Sequence, residues 1–162
     1  MRRTTCMSLR SKIIFAALLV ILATVSAAQA QERTIKRSQL PPAVEKTVAE
    51  QSQGATIKGF STEIEKGKRV YEAAMTINGH GKDILIDSKG NVIEIEEEVA
   101  MDSLSQAVKD GLTKAAGSGT ISKIESLTRS GTLVAYEAVV RRGARHSEIQ
   151  VGPNGEKLAH PE

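Results

Sequence analysis

Three histidines are the first candidates for chemistry, because histidine is a common catalytic and metal-binding residue. They are His80, His146 and His160. None of them belongs to an H-E-x-x-H pattern, which a zinc-protease helix would need. His80 and His146 follow strand patterns, in or beside glycine-containing turns. We therefore expect exposed turn histidines, with no metal ligand and no catalytic residue.

The segment 87–91 (D-S-K-G-N) has some of the letters of a calcium-binding loop. An EF-hand needs oxygen ligands at the first, third and fifth loop positions, and Lys89 stands at the third. A related segment at 152–155 (G-P-N-G) has no acidic residue. A tight turn with a glycine in the left-handed conformation explains both segments.

Other catalytic signatures are missing from the sequence. No cysteine follows Cys6, and the G-x-S-x-G, P-loop and G-x-G-x-x-G motifs are absent. The run 94–98 (E-I-E-E-E) offers carboxylates, but acid–base catalysis by a carboxylate pair needs a cleft and one acid with a raised pKa. We therefore predict that the protein is not an enzyme and uses no cofactor.

Charged residues on the predicted strands are the candidates for surface contacts. Arginines cluster at 129, 141, 142 and 145, but only 2% of the chain is aromatic, so we expect no nucleic-acid partner. A solvated, charge-balanced hairpin tip explains most of this cluster. The candidate binding residues are Glu72, Glu137, Arg141 and Arg142.

Residues 1–30 have the order of a secretory signal peptide. Basic residues come first, an apolar run follows from Ile13 to Val25, and small residues end the segment at Ala28-Gln29-Ala30. The alternative, an uncleaved anchor, would need about 20 apolar residues. Cleavage removes four of the 22 Lys and Arg and leaves 18 against 19 Asp and Glu. We expect a periplasmic or secreted, nearly neutral protein without stable membrane insertion.

The remaining chain has an internal repeat. The letters Y-E-A at 71–73 recur at 136–138, and glycines and aliphatic residues downstream keep the same offset of 65. A polar lead, 31–39, precedes a domain at 40–162, with pseudo-repeats at 40–97 and 101–160. Each pseudo-repeat begins with a helical pattern, at Pro41-Pro42 in the first and at a capping box of Ser103 and Gln106 in the second.

Four short strands are predicted after each helix. In the first repeat they span 55–65, 68–77, 82–87 and 91–96, separated by turns of hairpin length, which require antiparallel neighbours. Aliphatic and acidic residues alternate along most of them, so one sheet face is apolar and the other polar. The predicted fold class is α+β: two α-β-β-β-β pseudo-repeats form an antiparallel sheet with both helices packed on one face.

This pattern resembles the PepSY family, and in its tandem form the PepSY-like group described as β-lactamase-inhibitor-like. The residues that carry the likeness are V-Y-E-A at 70–73, I-L-I-D-S-K-G-N-V-I at 84–93, A-Y-E-A at 135–138 and I-Q-V-G-P-N-G-E at 149–156. The resemblance implies a secreted binding or inhibitory module that acts on peptidases or other hydrolases, with no catalytic residues. The scarcity of aromatic residues and the lack of disulfides argue against inhibition of a β-lactamase.

The sequence thus predicts an exported, non-catalytic module that binds an envelope protein or peptide through the open polar face or an exposed strand edge. The alternative is a small-ligand or metal-responsive periplasmic sensor in which His80, His146 and Asp87 matter. Melting temperature in the presence of divalent metals separates the two, because a ligand of the folded state raises it.

Overall fold

A single antiparallel sheet dominates the structure, a computed structural model that describes residues 32–158. Its eight strands lie in chain order, so each strand pairs with its neighbour in sequence. The strands are β1 (Arg33–Ile35), β2 (Thr56–Glu65), β3 (Lys68–Ile77), β4 (His80–Asp87), β5 (Val92–Glu98), β6 (Thr120–Arg129), β7 (Thr132–Arg142) and β8 (Arg145–Val151). The predicted signal peptide lies outside the described residues.

Two α-helices interrupt the sheet connections. They are α1 (Pro42–Gln51), which has Pro41 at its N-cap, and α2 (Gln106–Ala116). The Ser105 hydroxyl caps α2 by accepting a hydrogen bond from the Val108 N–H, so the predicted capping box at Ser103 was wrong. Ser103 instead ends a short 3₁₀ turn, and α2 ends at Ala116, followed by its C-cap Gly117, whose φ is positive.

The predicted α+β fold of two α-β-β-β-β pseudo-repeats was wrong. The described chain is 53% strand and 21% helix, with four strands after α1 and three after α2. The expected last strand of the second repeat is reduced to one isolated bridge between Val151 and Lys157. Residues 152–155 form a turn there, and Pro153 has no N–H to donate to a strand ladder. The eighth strand comes instead from the polar lead, where Arg33–Ile35 pairs with β2.

Both helices lie on the same face of the sheet, which we call the helix face. The registers Ala73–Ile84, Ile84–Ile95 and Ile124–Ala138 place these side chains on that face. The α1 side chains Val44 and Val48 join the apolar cluster of the first half, and α2 joins that of the second. Burial of these residues is the main stabilising contribution to the fold.

Two turn glycines set the distance between the helices and the sheet. A β-carbon at Gly90 would lie 2.7 Å from the carbonyl oxygen of Ala43 in α1. A β-carbon at Gly155 would overlap the carbonyl oxygen of Ala107 in α2. Both glycines also have positive φ, so these turns require glycine for conformation and for space. The segment 87–91 is the tight turn that the sequence predicted.

Candidate functional site

The sheet face opposite the helices, which we call the acidic face, is the candidate site. No element among residues 32–158 packs over it, since both helices lie on the other side. Alternation and register place eleven carboxylates there: Glu63, Glu65, Glu72, Asp83, Asp87, Glu94, Glu96, Glu98, Glu125, Glu137 and Glu148. The near-neutral chain therefore concentrates its negative charge on one surface.

Three of these carboxylates meet at the centre of the sheet. Asp83 of β4 lies opposite Glu96 of β5. Glu125 of β6 lies diagonally to Glu96, because it pairs with Glu98, the next residue of β5 on the same face. One oxygen of each side chain lies within 4.8 Å of the others. Oxygen ligands at such distances suit a hard cation, but Lys123 Nζ already lies 2.6 Å from Glu125 Oε1.

Glu125 is the most buried member of this group, with 5% of the residue exposed. Although Lys123 forms an ion pair with it, its Oε1 accepts no hydrogen bond of ordinary geometry from the described residues. Glu94, which is 7% exposed, is bound by the guanidinium of Arg129. Two cations therefore hold the two most buried carboxylates, whereas Asp83 and Glu96 have no ion pair within 4.0 Å among residues 32–158.

This crowding shifts the protonation of the central carboxylates. Burial raises the pKa of Glu96 to about 8, helped by its hydrogen bond to Glu94 and by the charge of Glu125. Burial also raises the pKa of Asp83, and the charge of Glu125 acts in the same direction. A carboxylate that loses water and gains negative neighbours holds its proton more tightly. Near neutral pH this part of the face therefore retains part of its protons.

Glu72 and Glu137, both predicted binding residues, project from the acidic face on β3 and β7. The Ser61 hydroxyl donates a hydrogen bond of 3.0 Å to Glu72 Oε2. The Gln150 amide donates one of 2.7 Å to Glu137 Oε2. Burial raises the pKa of both carboxyls. Each side chain is thus half-buried and held in place by one neutral donor.

The two predicted arginines point to opposite faces. Arg141 lies opposite His146 at the β7–β8 end of the acidic face. Arg142 points to the helix face. Its guanidinium donates a hydrogen bond of 2.7 Å to the Ala116 carbonyl at the end of α2 and another of 3.1 Å to Ser147 Oγ. Its contacts are those of a helix-end cap, since a cation there satisfies a free carbonyl. Contact of any of the four residues with a partner stays a prediction.

The residues of the sensor alternative lie apart. His80 begins β4 and His146 lies on β8, four strands away, or about 19 Å at the usual strand spacing. Asp87 accepts hydrogen bonds from the Asn91 side-chain amide and the Asn91 N–H, both at 2.9 Å, and from the Lys89 N–H at 2.8 Å, and these bonds lower its pKa. Asp87 therefore stabilises its own turn.

The sequence patterns indicated only part of the central group. Asp83 and Glu96 were expected on the polar face because β4 and β5 alternate regularly. Glu125 was missed, because the pairing of β6 with β7 shifts between Ile121 and Lys123 and again between Leu127 and Thr128. Such bulges break the alternation from which a face is read.

A groove of about 970 Å³ borders the acidic face at β8. Gly111, Lys114 and Ala115 of α2 line one side, and Glu137 and Glu148 line the other. The acidic face thus continues into a depression at the sheet edge. No helix within residues 32–158 is long and apolar enough to cross a membrane.

Solved structures with the same fold come from Bacteroides species. A BLIP-like protein from B. fragilis has a TM-score of 0.52 and 20% identity, covering 72% of this chain and 81% of that one. A DUF2874 family protein from B. ovatus has a TM-score of 0.56 and 16% identity, covering 73% and 84%. A structure from B. eggerthii, described as periplasmic, has a TM-score of 0.59 and 16% identity, covering 73% and 85%.

At these identities the likeness establishes a shared fold. It supports the β-lactamase-inhibitor-like part of the resemblance at that level, whereas the PepSY-like part stays a prediction. No protein-family profile matches the chain, and no curated protein sequence does. The description of the B. eggerthii structure agrees with the predicted localisation.

Proposed function

We propose that this protein is an exported, non-catalytic binding module of the cell envelope whose acidic face holds a protein or peptide partner. The observation that carries the proposal is the uncovered acidic face. Both helices cover the opposite side, and eleven carboxylates lie on the face that neither helix covers. The periplasm or the exterior is the proposed location, consistent with the order of residues 1–30 and with the periplasmic structural neighbour.

The finer proposal is that the module is PepSY-like and that its partner is a peptidase or another hydrolase, which it binds or inhibits. The BLIP-like description of one structural neighbour supports this class of partner. A broad sheet face suits a protein surface of standard interface size better than a small molecule, which usually needs an enclosed pocket. The charged groups of the face would then confer specificity.

Capture from envelope extracts tests the proposal. The bait is the full chain, expressed with export, and the variant replaces Glu72, Glu96 and Glu137 with glutamine. A matched control carries Glu50→Gln, Asp102→Asn and Asp110→Asn, three exposed acids that are not on the acidic face. We expect a partner that the wild type and the control retain and the face variant loses. Equal capture by all three baits would contradict binding through this face.

Inhibition is measured separately on the captured hydrolase. Purified wild-type protein should lower its rate in proportion to occupancy, and the face variant should not. A captured partner without hydrolase activity would contradict the finer proposal while leaving the binding module intact.

A further inference from the structure

We infer that the acidic face recognises a cationic, extended segment of its partner, one that presents several lysine or arginine side chains. This inference rests on the proposed function and names the chemistry of the partner. It follows from the balance of charge on the face, from the spacing of its carboxylates and from the surface between them.

The charge balance leaves negative groups without cations. The strands β4, β5 and β6 place five acids on the face away from the turns: Asp83, Glu94, Glu96, Glu98 and Glu125. Asp87 also lies on the face, but its carboxylate accepts hydrogen bonds within its own turn. Two cations, Lys123 and Arg129, serve this region among residues 32–158, and each pairs with one buried acid. A partner that supplies further cations would complete the pairing.

The half-buried state of these acids favours a charged partner over water. Burial raises the pKa of Asp83 and Glu96, so part of their hydration is already lost in the folded chain. Desolvation of charge is the main opposing term when an ion pair forms at an interface. Where the protein has already desolvated its acid, less remains to oppose the approach of a lysine or arginine.

The spacing of the carboxylates points to a segment of chain. Glu72 on β3 and Glu137 on β7 are four strands apart, about 19 Å at the usual strand spacing. A single metal ion contacts oxygens a few ångströms apart, as in the central group of three. An occupant that reaches both ends must therefore be a macromolecule with several positive groups.

The surface between the carboxylates fits the stems of such side chains. Leu85 lies on this face opposite Glu94 and is partly exposed, so it offers apolar surface beside the acids. Lysine and arginine pack their methylene stems on apolar surface while their charged heads reach carboxylates. The groove at β8 borders this surface at the sheet edge, where Lys114 and Lys157 lie beside Glu137 and Glu148.

The test uses a synthetic 12-residue peptide in which lysine alternates with serine, and the purified protein from full-chain expression. Binding is measured by isothermal titration calorimetry at pH 9, above the pKa of Glu96, for wild type, the Glu72/Glu96/Glu137 glutamine variant and the Glu50/Asp102/Asp110 control. At this pH the variant and the control have nearly the same net charge. We expect at least tenfold weaker binding for the face variant, less than threefold for the control, and weaker wild-type binding as salt rises.

Several outcomes would overturn the inference. Equal loss in the variant and the control would mean that net charge alone attracts the peptide. Equal binding of a peptide with glutamate in place of lysine would exclude charge recognition. Abolition of peptide binding by 1 mM Ca²⁺, with Ca²⁺ itself binding the wild type and not Glu96→Gln, would make a divalent cation the occupant. Circular dichroism of each variant checks that it is folded. The single variant Glu72→Gln is also measured, in case the triple variant does not fold.

The peptide test and the capture test fail separately. If the face captures an envelope partner whose binding does not depend on salt or on lysine, the proposed function stands and the cationic segment is wrong. If the lysine peptide binds the face but no captured partner depends on it, the recognition chemistry stands and the proposed function is wrong.

Discussion

Replacing Glu96 with glutamine should stabilise the protein at high pH and leave it nearly unchanged at low pH. The pKa of this carboxyl is about 8 in the folded chain, against an ordinary value of 4.5. Between these two values the folded state retains a proton that the unfolded state has lost. The free energy of unfolding therefore falls as pH rises through this window, and the fall is complete above pH 8.

The size of the effect follows from the same shift. One retained proton changes the free energy of unfolding by about 1.4 kcal/mol for each pH unit. Over the three pH units from 5 to 8 this amounts to about 4 kcal/mol. Glu96 is partly exposed, so solvent screening weakens the effect, and halving the figure gives a loss of about 2 kcal/mol in the free energy of unfolding. Glutamine cannot ionise, so Glu96→Gln removes this part of the pH dependence. Asp83, Glu72 and Glu137, whose pKa values are also raised, leave a smaller slope of the same sign.

Urea unfolding at constant ionic strength measures this difference. Far-UV circular dichroism is the suitable signal, since the chain has no tryptophan. At a urea dependence of about 2 kcal/mol per molar, Glu96→Gln should raise the midpoint by about 1 M at pH 8 and change it little at pH 5. Glu148→Gln, an exposed residue on the same face, is the control and should shift neither midpoint. Equal midpoints for wild type and Glu96→Gln at pH 8 would refute the argument from burial.

Three further substitutions test the helix face by thermal or urea unfolding. Gly155→Ala should lower the free energy of unfolding by about 3 kcal/mol or more, because the new β-carbon would overlap an α2 carbonyl at a position of positive φ. Gly143→Ala is the control: φ is also positive there but the space is open, so the loss should be about 1 kcal/mol. Similar losses for both would contradict the close approach of Gly155 to α2. Arg142→Ala should lower the free energy of unfolding by about 1–2 kcal/mol, because it removes the hydrogen bond to the last carbonyl of α2. Arg145→Ala, at an exposed arginine, is the control and should cost less than about 0.5 kcal/mol. Equal effects would exclude the capping role of Arg142. Leu112→Ala should lose about 2–5 kcal/mol, and a loss below about 1 kcal/mol would argue against its complete burial.

Local patterns were sufficient where turns and alternation agree. The strands β2 to β5 lie within two residues of their expected bounds, because glycine turns separate them. In β3, β4 and β5 the apolar residues also repeat at every second position over most of the strand. The same features placed Glu72 and Glu137 on the polar face.

The missing parts depend on contacts between distant segments. Arg33–Ile35 has three residues and no alternation, and it becomes a strand because β2 offers an unpaired edge. The predicted last strand failed because a repeat in sequence does not guarantee pairing partners, and Pro153 interrupts the ladder. The raised pKa of Glu96 depends first on burial in the assembled sheet, then on Glu94 and on Glu125, which lies 29 residues away in sequence.

The acidic face lowers the stability of the fold at neutral pH, and this cost suggests that its charges serve binding. Carboxylates whose pKa values are raised by burial oppose folding once they ionise, and neutral isosteres at the same positions would not. Functional surfaces commonly retain residues that reduce stability, because binding or chemistry needs them. If Glu96→Gln is more stable at pH 8 and also binds the lysine peptide more weakly, the same charge both destabilises the free chain and attracts its partner. Greater stability without weaker binding would instead separate the charge of Glu96 from recognition.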